Sequence, residues 1–181
     1  NEDSFMDLYG RELPQLAERR GYIVVAPMGY RVDGGYGSPI MDRGRKAEIS
    51  EQDVMQVLAH ARKDFKVDDR RIYLMGHSMG GIGTWHLGAK YPDIWAALGS
   101  FAGMGFPASE ERMKKIPQFV VHGDSDVTVL VQRSRDMVAE MQRLGVDYKY
   151  IEVPGGTHNG VVEPNLAAMF DFFDARRRPS P

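Results

Sequence analysis

Five short apolar runs, separated by longer stretches with helical periodicity, limit the architectures open to this chain. The runs lie at residues 22–26, 71–75, 96–100, 118–122 and 148–153. They are β-rich and mostly non-alternating, as in strands covered on both faces. Ser50 and Asp53 have the S-x-x-D spacing of a capping box, ahead of an apolar stripe at Val54, Val57, Leu58, Ala61 and Phe65. Met137, Val138, Met141 and Leu144 make a second stripe, stopped by Gly145. Pro164 suits the first turn of a last helix with Leu166, Met169, Phe170 and Phe173 on one face. Leu13, Leu16 and Ala17, with Gly21 behind them, predict a short helix near the start. This alternation predicts an α/β domain: a mostly parallel sheet with helices on both faces and right-handed crossovers. No internal repeat or linker interrupts it, so residues 1–181 read as one domain, with 176–181 a frayed basic tail.

Composition removes several classes of function. Hydrophobic residues are 43% and charged residues 27% of the chain, enough for a packed core. The formal net charge of −2 gives no bulk electrostatic case for nucleic acid as a partner. No apolar run is long enough for a membrane-spanning helix. Cysteine is absent, which excludes disulfides, thiolate metal sites and a cysteine nucleophile. No signal peptide is visible, which leaves the compartment open, with cytoplasm as the default.

Two long loops, residues 27–46 and 103–115, leave the carboxyl ends of predicted strands, where open α/β sheets form their ligand crevice. They read equally as pocket walls or as surface connections.

The most specific motif is Gly76-His77-Ser78-Met79-Gly80-Gly81, which follows a strand and opens a helix. This is G-x-S-x-G in the context that gives it meaning: a serine on a strained strand-to-helix turn, its hydroxyl pointing out of the sheet. Glycine at 76 and 80 is expected to relieve collisions at that turn. The helix N-terminus favours developing negative charge, and the Met79 N–H becomes an oxyanion donor. The bland alternative is a chance match in a chain with 20 glycines. The dinucleotide and P-loop glycine patterns do not fit here.

A serine hydroxyl needs a base, and the base needs an orienting acid, in the chain order Ser, Asp or Glu, His. One predicted strand runs into His122-Gly123-Asp124-Ser125-Asp126, and another into Gly155-Gly156-Thr157-His158. His158 is the expected base, since it alone sits in a loop beyond the last strand. His77 is expected to point away from Ser78, His60 to be half exposed, His86 to pack or hydrogen-bond, and His122 to satisfy a local backbone group. Asp126 is the expected acid, with Asp124 a competitor.

These segments resemble the α/β-hydrolase superfamily. The resemblance is to esterases of the esterase D, polyhydroxybutyrate-depolymerase and feruloyl-esterase kind, and to the catalytic domain of prolyl oligopeptidases. It rests on residues 67–81 running on to Lys90-Tyr91-Pro92, on His122-Gly123-Asp124-Ser125-Asp126, and on Gly156-Thr157-His158. In the family's H-G-x-x-D pattern the acid is the last residue, which favours Asp126. The resemblance implies a serine carboxylic-ester hydrolase acting through an acyl-enzyme on a small-molecule ester, with no metal and no organic cofactor. Tyr30, Arg31 and Tyr36 in the Gly-rich loop are candidate substrate contacts.

The chain departs from the family pattern at its start. The strand and H-G-x-G type loop that supply a second oxyanion N–H have no counterpart here, so the fold is expected to be N-terminally shortened. The absent strand belongs between residues 22–26 and 71–75. Its neighbours would then pair directly, or a partner chain such as a second copy would complete the sheet, or upstream residues would. Two other readings stand beside the esterase: a catalytically silent member acting as a binding or assembly module, and a peptidase of the same fold.

Overall fold

Four of the five expected strands form a sheet: β1 Tyr73–His77, β2 Ala97–Phe101, β3 Gln118–Gly123 and β4 Tyr148–Val153. All neighbours are parallel, in the order β1-β2-β3-β4. The structure, a computed structural model, describes residues 11–30, 33–41 and 44–179. The helices are α1 Glu12–Arg20, α2 Arg45–Asp64, α3 Met79–Lys90, the single turn α4 Glu110–Met113, α5 Gln132–Leu144 and α6 Leu166–Asp174.

Alternation along the strands divides the core in two. Phe101, Phe119 and Val121 pack with α1 and α6 through Leu13, Leu16, Leu166, Met169, Phe170 and Phe173. Leu98 and Val120 point the other way, against Val54 of α2, Trp85 and Leu87 of α3, Met113 of α4, and Met137 and Met141 of α5. The sheet thus has helices on both faces, and β2 and β3 are buried throughout. Gly21 and Gly145 close α1 and α5 in left-handed conformation, at φ 70° and 68°.

Two expectations need correction. Residues 22–26 form no strand. Tyr22 is anchored against Tyr73 and Phe170, and its hydroxyl donates to Asp174, but Ile23, Val24 and Val25 remain 47%, 47% and 44% exposed. A strand needs a ladder partner, and among the described residues β1 pairs with β2 alone. Direct closure of the two flanking segments does not occur.

The second correction concerns Ser50 and Asp53, which cap nothing, because α2 begins at Arg45. Both sit inside the helix and hold the Gly-rich loop instead. Ser50 Oγ accepts from the Tyr36 N–H at 3.0 Å, and Asp53 Oδ2 accepts from the N–H groups of Gly29 and Tyr30 at 2.9 and 3.3 Å. Their apolar neighbours made the periodicity legible, but the same polar side chains that suit a cap also suit loop anchoring.

Candidate active site

The end of β1 turns sharply into α3 at Ser78, whose backbone lies at φ 55°, ψ −116°. For a residue other than glycine this is a strained conformation, held only where the surroundings over-determine it. Here the Ser78 N–H donates to the Phe101 carbonyl at 2.9 Å, and the Ser78 carbonyl accepts the first helical bond, from Ile82, at 3.0 Å. Gly76 is required because a Cβ there would fall on the backbone of Gly80. Gly80 itself faces open space, so the collision is relieved at 76 and not at both glycines. Met79 opens α3, and its N–H, in the first turn, has no intrahelical acceptor.

Two loops from neighbouring strand ends reach this turn. Gly123, which ends β3, packs on Gly156 so closely that a side chain on it would meet the Gly156 carbonyl. Asp124 joins the same two loops, its Oδ1 accepting from the Gly155 N–H at 2.7 Å. That leaves Asp126 to face inward.

Three side chains expected from sequence come together. His158 Nε2 lies 2.8 Å from Ser78 Oγ, and His158 Nδ1 lies 2.7 Å from Asp126 Oδ2. With Nδ1–H donating to the carboxylate, Nε2 is free to accept the serine proton. Asp126 is 4% exposed. Burial pushes its carboxyl up, but the His158 bond and the N–H groups of Val129 and Thr128 outweigh burial and hold it below the usual carboxylate range.

Two further histidines support this group. His77 is set against His158. Its ring lies 4.7 Å from that of His158, and its Nε2 donates to the His158 carbonyl at 2.8 Å. Burial holds its pKa down to about 4, with the His158 and His122 rings adding to the fall, so it stays neutral at ordinary pH. His122 is wholly buried; as expected it meets a backbone group, the Val129 carbonyl at 2.8 Å, but its ring also touches Ser134 Oγ at 2.7 Å and Asp126 Oδ2 at 3.2 Å. No spacing in the sequence reports these contacts, since they depend on how three loops fold over one another. His60 is exposed, and His86 bonds Glu51 at 2.9 Å.

The candidate substrate contacts fare differently. Tyr30 is 54% exposed in the anchored loop, and Arg31 lies outside the described residues. Tyr36, half-buried, packs its ring between Gly29 and Gly83 beside α3. The two long loops do meet. Ser38, Pro39 and Ile40 of the first, and Phe106, Ser109 and Arg112 of the second, wall a cavity of about 370 Å³ floored by Ile82 and Trp85. It runs along the flank of α3, and Ile82 is one helical turn from Ser78. Among the described residues no His, Asp or Glu cluster could hold a metal ion, and no helix is long and apolar enough to cross a membrane.

The chain is 32% identical over 112 residues to the bifunctional acetylxylan esterase/xylanase XynS20E of Neocallimastix patriciarum, a match covering 61% of this chain and 16% of that protein. It is 27% identical over 106 residues to Cutinase 1 of Thermobifida cellulosilytica, covering 55% of this chain and 37% of the cutinase. The crystal structure of a thermostable esterase superposes with TM-score 0.67 at 28% identity, covering 71% of this chain and 37% of that one. The chain thus spans between 16% and 37% of the length of these relatives. Residues 10–106 and 104–176 match the prolyl oligopeptidase family, and with that match and this sheet topology the chain belongs to that family and carries the α/β-hydrolase fold.

Proposed function

We propose that the chain hydrolyses carboxylic esters through an acyl-enzyme. Ser78 Oγ attacks the ester carbonyl while His158 Nε2 takes the hydroxyl proton. Asp126 holds the imidazole in the Nδ1–H tautomer and stabilises the imidazolium. The oxyanion is met by the Met79 N–H at the positive end of α3. The tetrahedral intermediate collapses, the C–O bond to the alcohol breaks, and His158 returns its proton to the departing alkoxide. Water, deprotonated by His158, then attacks the acyl-serine and releases the acid and the free hydroxyl. No metal ion or organic cofactor enters these steps, and the substrate is a small-molecule ester.

The observation that carries this reading is the unbroken hydrogen-bond chain from Ser78 through His158 to Asp126, with both contacts at 2.8 Å or less. The experiment is turnover of short-chain p-nitrophenyl esters. Ser78→Ala abolishes it, and Asp126→Asn lowers kcat by about 10⁴-fold. The rate falls on the acid side as His158 takes up a proton, so a flat rate from pH 5 to 8 overturns the base assignment. Absence of turnover together with absence of labelling by a fluorophosphonate favours the silent binding module. The family match supports a second reading, cleavage of peptides by the same three residues, which a peptide panel separates from ester-only activity.

A further inference from the structure

We infer that His122, locked in orientation by Ser134, is a positioning residue that aims the Asp126 carboxylate at His158. The inference rests on the Ser78, His158 and Asp126 assignment above.

The argument begins with the ring nitrogens. His122 Nε2 faces two oxygens, the Val129 carbonyl at 2.8 Å and Asp126 Oδ2 at 3.2 Å. A carbonyl cannot donate, so Nε2 carries the hydrogen and gives it to Val129, with the Asp126 carboxylate at ion-pair distance beside it. Nδ1 is then the acceptor, and the one group 2.7 Å from it is the Ser134 hydroxyl, which donates. Ser134 is wholly buried in the first turn of α5, and His122 is wholly buried at the end of β3. A ring so enclosed, with a partner at each nitrogen, cannot turn without breaking both bonds.

That fixed ring holds the acid's loop at two points. Asp126 Oδ1 accepts from the Thr128 and Val129 N–H groups at 2.8 and 2.9 Å, which closes the turn. The carbonyl of that same Val129 is tied to His122. Oδ2, the oxygen that accepts from His158, also lies 3.2 Å from His122 Nε2. The carboxylate is therefore held by hydrogen bonds at both oxygens, with the buried His122 ring packed against Oδ2.

Other ionisable groups face this ring. His77 approaches from β1, and Glu152 stands opposite His122 on β4, paired with Arg135. His158 and Asp126 complete the set.

The test compares His122→Leu, which keeps bulk and loses both bonds, with His122→Gln, whose amide restores a donor near Nε2. In His122→Leu, kcat falls by between about 10-fold and the roughly 10⁴-fold that loss of the acid costs. KM stays unchanged, because the ester does not reach His122. The acid limb of the kcat/KM profile moves to lower pH as the imidazolium loses its partner. His122→Gln recovers most of the loss, and Ser134→Ala gives a smaller fall in the same direction. Where His122→Leu does not fold, the Gln and Ala variants decide by the same readouts.

A folded His122→Leu with wild-type kcat and pH profile overturns the inference, as does a folded His122→Gln no better than Leu. A second readout is independent of turnover: the low-field NMR resonance of the His158 Nδ1 proton. If the wild type turns over no ester and this resonance still shifts or vanishes in His122→Leu, the ester reading fails and the positioning role stands. If the resonance is unchanged, the positioning role fails.

Discussion

Ser78 sits at φ 55°, ψ −116°, a backbone state that costs a non-glycine residue about 1–3 kcal/mol. What holds it there is local: the bond from its N–H to Phe101, and the room that Gly76 leaves for the Gly80 backbone. The two glycines of the motif therefore differ. Gly76→Ala forces a Cβ into backbone that cannot give way and is expected to destabilise by about 1–3 kcal/mol or more. Gly80→Ala enters open space on a helix, where alanine is favoured by roughly 0.5–1 kcal/mol. Urea denaturation of both variants checks this, and equal losses would show that the turn needs both glycines for another reason. The turn itself was legible because G-x-S-x-G lay between a β run and a helical stripe. His158 was singled out by chain order and its loop, whereas for the acid these left Asp124 and Asp126 both open and only the resemblance to the family's H-G-x-x-D pattern favoured Asp126. The roles of His77 and His122 were not, because a residue ending a strand can satisfy its ring nitrogens in many ways. Only the fold shows that these two reach the His158 carbonyl and the Asp126 carboxylate.

At the scale of elements, residues 22–26 have strand composition and form none, while the other four runs form strands. β propensity describes fit to a half-buried pleated surface, and it yields a strand only where a partner supplies the ladder. Composition reports the first condition and is silent on the second. Among the described residues β1 accordingly has one paired edge, whereas β2 and β3 have two. Hydrogen exchange should separate them. Amides of β2 and β3 are expected to exchange at the slow, near-global limit. The β1 amides that point away from β2 should exchange orders of magnitude faster. The expected homodimer that completes the sheet enters here as a proposal. It requires β1 protection to rise with protein concentration, and protection that stays constant across a hundredfold dilution series removes it.

Across the whole molecule, one buried group and one half-buried group on different elements bend the stability–pH curve in opposite senses. Glu110, fully buried on α4, has one oxygen bonded to Gln118 at 2.7 Å and the other without a partner. Burial pushes its carboxyl up to about 7 from an ordinary 4.5. Between those values the folded state holds a proton that the unfolded chain has released, so stability falls as pH rises, by roughly 3 kcal/mol in all. His77 does the reverse. Its pKa of about 4, against an ordinary 6.5, means that between those values the unfolded chain binds the extra proton, and stability rises with pH. The windows overlap from about 4.5 to 6.5, where the two slopes largely cancel. Glu110→Gln removes only the falling one. Its unfolding free energy in urea should climb from pH 4.5 to 6.5, while the wild type changes far less from these two groups. By pH 7.5 the variant should have gained on the wild type relative to pH 4.5. If both proteins keep parallel curves across that range, Glu110 is not ionising within the fold as its burial requires.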